Sequence, residues 1–213
     1  MTNLTTFQIY DLLNRPRPLW LVRIDLSEAN LWWADLKACN LSWANLTRTD
    51  LNWANLTEAN LTKANLNLAN LFEAQMSMVI LNEANLTRSN LTRTNLAKAQ
   101  LVDAIMVEAN LSRAILTKSR LSRANLNLAI LNRADLSKAD LAGANLSGVD
   151  LGMASLFEAN LMEADLHDAN LAKADLVGAN LSKANLLGAQ LDGADLTGAV
   201  LPEEYQHIFR DRT

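Results

Sequence analysis

The chain has 213 residues, half of them apolar but only 5% aromatic, with a formal charge of -4. That length allows one domain or two small ones, and the shortage of rings leaves Leu and Ala to supply the core. With 7 Gly and 3 Pro neither a collagen-like chain nor a disordered linker is expected, one Cys excludes an intramolecular disulfide framework, and so small a net charge defines no class of partner.

At the N-terminus there is no basic segment followed by an apolar run and a small-residue cleavage site. No stretch approaches the ~18 consecutive apolar residues of a membrane span, so a soluble, cytoplasmic protein without a membrane role is expected. Thr5-Thr6-Phe7-Gln8 reads as a capping box, with Thr5 as N-cap and Gln8 at N3. It opens a short helix through Leu13 that stops before Pro16, and residues 1–20 are assigned to an N-terminal helical cap.

Beyond the cap one period organises the chain. From Leu26 to Leu201 every fifth residue is Leu, except Met76 and Met106. From Leu31 on, two residues before each lies a small side chain, usually Ala, with Cys39, Thr49, Val79, Ser89, Thr94, Ser119 and Val149 as the exceptions. Between them sits mostly Asn or Asp, and no residue is inserted or lost across the span. On an α-helix five residues advance about 500°, so the Leu residues would spiral round every side. On a strand an odd spacing puts alternate Leu on opposite faces. The chain must therefore turn after each unit and bring every Leu to one interior.

Units such as Ala-Asn-Leu-Thr-Lys and Ala-Asp-Leu-Ser-Lys, repeated over about residues 21–201, resemble the A(N/D)LXX repeats of the pentapeptide-repeat family. The resemblance implies an all-β solenoid, a right-handed quadrilateral β-helix in which four units close one 20-residue coil. The Leu and the small residue point inward and the other three positions outward. The repeat region, 21–201, then forms about nine coils, a rod of about 40 Å at the spacing of neighbouring strands. Residues 202–213 form a C-terminal helical cap and tail. Pro202 suits a first helical position, Glu203 and Glu204 the first turn, and Tyr205, Ile208 and Phe209 one apolar face.

Catalysis finds little support in these residues. Two His and one Cys show no metal-ligand spacing, and no Gly-rich phosphate loop is present. Cys39 holds a small inward position and reads as core; His167 and His207 read as surface residues. The repeat itself accounts for the Asp residues. No catalytic, cofactor-binding or metal-binding residue and no cofactor is assigned, and the chain is read as a non-enzyme.

Two features stand out as a candidate interaction surface. All five Trp, at 20, 32, 33, 43 and 53, lie in the first quarter, and Trp33 and Trp53 are one coil apart. Either the N-terminal helix folds over Trp32, Trp33, Trp43 and Trp53, or these rings form a patch for self-association as a homodimer or for a foreign partner. Charge is also segregated along the rod. Residues 88–138 hold nine basic residues against Asp103, Glu108 and Asp135, whereas 139–201 hold nine acidic residues against Lys173 and Lys183. Arg93, Arg113 and Arg133 form one ladder, and Lys98, Lys118 and Lys138 form the ladder on the next side. Like charges about 5 Å apart repel, so such ladders either serve a partner or keep the rod soluble.

The reading adopted is a non-enzymatic scaffold for protein–protein interaction, its protein partner unidentified. The alternative, implied by some family members, is a DNA-mimicking modulator of gyrase or another topoisomerase. The basic middle and the absence of a loop insertion argue against it. Direct nucleic-acid binding is disfavoured by the acidic net charge and by the lack of aromatics among the basic residues.

Overall fold

A computed structural model describes residues 6–16 and 18–206. Its repeat region contains no long strands. Single-residue parallel bridges instead join every fifth residue to the one 20 residues on, from Trp20–Asn40 through to Asn180–Val200. Four pentapeptides therefore complete each turn of the chain, and every residue has its equivalents one coil above and one below.

The unit Asn110–Ala114 shows why five residues suffice. Asn110 N–H donates to Ser89 O of the coil below (2.9 Å), while Leu111 and Arg113 donate to Ile130 O and Asn132 O of the coil above (2.7 and 3.0 Å). Ala114 N–H closes a tight turn onto Leu111 O at 3.0 Å. The fifth donor, Ser112 N–H, is taken by the side-chain Oδ1 of Asn110 at 3.0 Å. Every N–H of the unit is thus satisfied, as a stacked backbone requires. The recurrent Asn or Asp is explained by that last bond, an Asx turn made again by Asp25, Asn85 and Asp135.

The turn needs a left-handed residue two places after each Leu. Thirty non-glycine residues occupy that seat with φ between 52° and 61°, and six glycines share it. An L-residue there costs about 1–2 kcal/mol, a strain held by the bonds to the coils on either side.

Leu and Ala form one interior running the length of the rod, with Leu36 to Leu176 essentially inaccessible. Opposite walls approach because the flanking residues are small, and Leu fills the centre at close-packed density. Cys39 is buried there, its Sγ 3.4 Å from Leu19 N. The four polar residues in the small column each satisfy their hydroxyl on a backbone carbonyl: Thr49 on Leu26, Ser89 on Leu86, Thr94 on Leu71 and Ser119 on Leu116.

At the N-terminal end helix α1, Thr6–Leu13, sets Ile9 and Leu12 against the interior. The Thr5 N-cap lies outside the described residues. At the other end α2 is the short Glu203–Gln206, with Tyr205 packed on the core; Ile208, Phe209 and His207 lie outside the described residues. Among the described residues no helix is long and apolar enough to cross a membrane.

Candidate interaction surface

The 20-residue turn sorts outward residues into four sides, here numbered by their central Leu: side 1 carries Leu41 and Leu61, side 2 Leu46 and Leu66, side 3 Leu51 and Leu71, side 4 Leu56 and Leu96. On side 3 the left-handed seats read, coil by coil, Trp33, Trp53, Glu73, Arg93, Arg113 and Arg133.

Three of the candidate tryptophans meet here. Trp33 stacks on Trp53 (centroids 5.5 Å, planes 9° apart), and Trp32 tilts against Trp53 at 5.4 Å. Phe72 meets Trp53 edge-on at 5.5 Å, which extends the cluster by a ring that the count of tryptophans does not include. Trp33 is 65% and Trp32 52% exposed while α1 packs on the end of the core, so the rings face solvent. Trp43 stands apart on side 1, between the guanidinium of Arg23 (5.6 Å) and the ammonium of Lys63 (4.9 Å). Trp20, assigned no role, is exposed at the N-terminal end.

The basic ladders turn out to be partly neutralised at their ends. Trp53 Nε1 donates to Glu73 at 2.9 Å and Arg93 donates to the other oxygen at 3.0 Å. The indole bond first, and the Arg93 guanidinium after it, hold the Glu73 carboxyl below the usual glutamate range. Lys138 reaches Glu158 at 3.2 Å and lies 5.9 Å from the Phe157 ring. Among the described residues Arg113, Arg133, Lys98 and Lys118 have no carboxylate within ion-pair distance, although nearly all other pairs on the rod join charges one coil apart. Arg123 binds Asp103 (2.7 Å), and Arg88 binds Glu108 (2.7 Å). Each carboxyl is lowered first by the hydrogen bond from its arginine.

Few features suggest covalent chemistry. His167 lies 3.0 Å from the neighbouring Asp168 on the surface. No group of three or more His, Cys, Asp or Glu among the described residues could hold a metal ion. Asp140, the most enclosed of the shifted carboxyls, is pushed up by burial. Hydrogen bonds from Ser122, Ala142 N–H and Asn160 outweigh that and leave it lowered, which is a structural arrangement.

Known proteins agree with this architecture. A family model described as pentapeptide repeats matches the chain in eight copies, among them residues 24–62, 49–88, 69–106, 80–117, 94–133, 119–156 and 159–198. The chain belongs to the pentapeptide repeat family. With that membership comes the family's right-handed quadrilateral β-helix. Among solved pentapeptide repeat structures, HetL from the cyanobacterium Nostoc sp. strain PCC 7120, involved in heterocyst differentiation regulation, is 32% identical. The match covers 95% of this chain and 98% of HetL, with a TM-score of 0.57. A thylakoid-lumen protein from Arabidopsis thaliana is 31% identical over 49% of this chain and 76% of its own, with a TM-score of 0.45. The plasmid-mediated fluoroquinolone resistance protein QnrB1 is 14% identical, covering 91% of this chain and 95% of its own, with a TM-score of 0.44. That likeness carries nothing about function. Among curated proteins none matches this chain.

Proposed function

We propose that this pentapeptide repeat protein is a non-enzymatic scaffold that binds an acidic protein partner through the basic middle of the rod. Three regions serve that role: an N-terminal helical cap over 1–20, a rod of about nine coils over 21–201, and a C-terminal cap and tail over 202–213. The observation that carries the reading is the set of four cations, Arg113, Arg133, Lys98 and Lys118, left without carboxylate partners on adjoining sides. Among the described residues, isolated cations elsewhere on the rod, such as Arg23, Arg120 and Lys173, also lack an ion pair but have no like charge one coil away. These four stand instead in rows of like charge, a local cost that an acidic partner would relieve. A DNA mimic needs continuous negative charge, and these cations interrupt it.

Lys98→Glu with Lys118→Glu tests the reading on side 4. Affinity capture from a lysate of the source cell, followed by mass spectrometry, should recover a partner with the wild type and lose it with the variant. The difference should shrink as salt rises. A partner retained equally by both proteins refutes the role of these lysines. The wild-type protein should leave gyrase supercoiling unchanged at micromolar concentration, and clear inhibition would favour the topoisomerase reading.

A further inference from the structure

We propose that side 3 is a self-complementary interface through which two copies of this chain pair antiparallel, with Trp33 and Trp53 of each receiving Arg133 and Arg113 of the other. This goes beyond the scaffold reading and needs no foreign partner.

The inference rests on the order of residues along one column. Face-to-face contact of two identical sides requires a two-fold axis lying in the contact plane. If that axis runs along the rod, the copies are parallel and every residue meets itself, Arg93 on Arg93 and Arg113 on Arg113, which is repulsive. If it runs across the rod, midway between the coils of Glu73 and Arg93, the column Trp33, Trp53, Glu73, Arg93, Arg113, Arg133 meets its own reverse. Trp33 then faces Arg133 of the second copy, Trp53 faces Arg113, and Glu73 faces Arg93. The sequence reads as its own complement at all six positions.

Each of those contacts is physically favourable. A guanidinium over the exposed Trp33 indole is a cation–π pair, one at each end. Trp53, whose face is taken by Trp33, offers Arg113 an apolar edge against which its stem and guanidinium pack. At the centre two glutamates alternate with two arginines, where each chain already joins Glu73 to Arg93 at 3.0 Å. The neighbouring outward column keeps its place under the same axis. It sets Trp32 against Asn132, Asn52 against Ser112 and Phe72 against Thr92, so no two large rings collide. The unpaired Arg113 and Arg133 and the exposed rings of Trp32 and Trp33 thereby find occupants together.

The other sides lack this property. Side 1 closes its charges internally through Lys63–Glu83 and Arg123–Asp103, and side 2 does so through Arg48–Glu28 and Arg88–Glu108. On side 4, the register that pairs Glu58 with Lys118 sets Lys98 against Met78 and brings no aromatic contact. From Trp33 to Arg133 the strip is about 25 Å long, five coil spacings. That is the small end of specific interfaces, so the dimer should dissociate in the micromolar range. An axis across the rod also leaves side 4 of both copies facing the same way, which gathers Lys98 and Lys118 from two chains onto one surface.

Sedimentation velocity between about 1 and 200 µM tests the proposal, since an interface this small dissociates within that range. The wild type should move reversibly from monomer to dimer, and Trp33→Ala with Trp53→Ala should weaken the dimer about tenfold or more. Arg93→Glu alone sets Glu against Glu at the centre, and Glu73→Arg alone sets Arg against Arg; each should be monomeric. Mixed in equal amounts, these two variants bring an acid opposite an arginine at both central contacts, so a heterodimer should return. Far-UV circular dichroism of each variant separates loss of pairing from loss of fold. A wild type that stays monomeric throughout the range overturns the proposal. So does a dimer that survives every one of these changes, or two folded variants that do not recover pairing when mixed.

Discussion

Sides 1 and 3 are built on the same interior and carry three cations each over comparable coils, yet they end with opposite electrostatics. On side 1 Lys63 follows Trp43 and meets Glu83, and Asp103 meets Arg123, so unlike charges are neighbours one coil apart. On side 3 Arg93, Arg113 and Arg133 are consecutive, and only the first has an acid beside it. What most distinguishes the two sides is the order of charges along the rod, since they carry equal numbers of cations and differ by a single acid. Order decides whether a column is complete within one chain or is completed by another molecule.

The largest effects should not distinguish the sides at all. Leu111 and Leu121 lie at the centres of sides 3 and 1 and are fully buried. Truncating either to Ala should cost roughly 2–5 kcal/mol, through lost transfer free energy and the cavity left behind. Urea unfolding of the two variants should give values close to each other. A wide gap would mean that the walls are packed differently and that the comparison does not belong to the surface alone.

Smaller and opposite changes should follow charge reversal. Arg123→Glu on side 1 removes the partner of Asp103 and sets a second acid beside it, which should lower the melting temperature. Arg113→Glu on side 3, melted at a concentration below about 1 µM where the chain is monomeric, relieves a row of like charges and should leave it unchanged or raise it. Both differences should narrow with salt, because these side chains are exposed. The pH dependence has a definite sign. Asp103 is lowered in the folded state, first by the Arg123 hydrogen bond, so its contribution is complete above the ordinary aspartate range and is lost as pH falls through the lowered value. Arg123→Gln should flatten that acid limb of the melting profile; an unchanged limb would show that the pair does not stabilise side 1.

The smallest effect isolates the backbone from the side chains on either side. Ala38 sits in a left-handed seat with φ 54°. Ala38→Gly should stabilise by a few tenths to about 1 kcal/mol, the reverse of the usual sign for this change, because the relieved strain exceeds the extra entropy of the unfolded chain. Thr117→Ala, outward and without a hydroxyl bond, should change stability by about 0.5 kcal/mol or less. Thermal melts of both place the floor against which the charge effects are judged.

Much of this was legible in the sequence because the period is unbroken. The inward Leu column follows from spacing alone. The inward small column with the buried Cys39, and the 20-residue coil that stacks Trp33 on Trp53, follow from the resemblance to pentapeptide repeats and agree with residue size. The same arithmetic separates Trp43 from that stack, since it lies ten residues from each. Reading the Arg and Lys ladders as isolated rows missed their terminal partners, Glu73 and Glu158, although both sit at 20-residue offsets. Those partners become visible only when both signs of charge are followed down a column together. Other details could not be read from spacing. Trp32 leans onto Trp53, and Trp53 turns its indole N–H toward Glu73, through side-chain rotations that periodicity leaves free. At the last coil Ala189, Leu191 and Ala194 keep the repeat pattern but are only partly buried, because burial there depends on what stacks above them.

The left-handed seat has a wider consequence. Tryptophan, arginine, lysine, glutamate, methionine and alanine all occupy it at nearly the same φ, so the backbone does not select among them by shape. Fold and surface are specified by different letters of the same five-letter word. A lineage can rewrite the seats of one side, coil by coil, without disturbing a single interior contact. The rod then behaves as a ruled page on which successive lines are held at a fixed spacing, and two such pages can be compared for a match simply by reading one of them backwards.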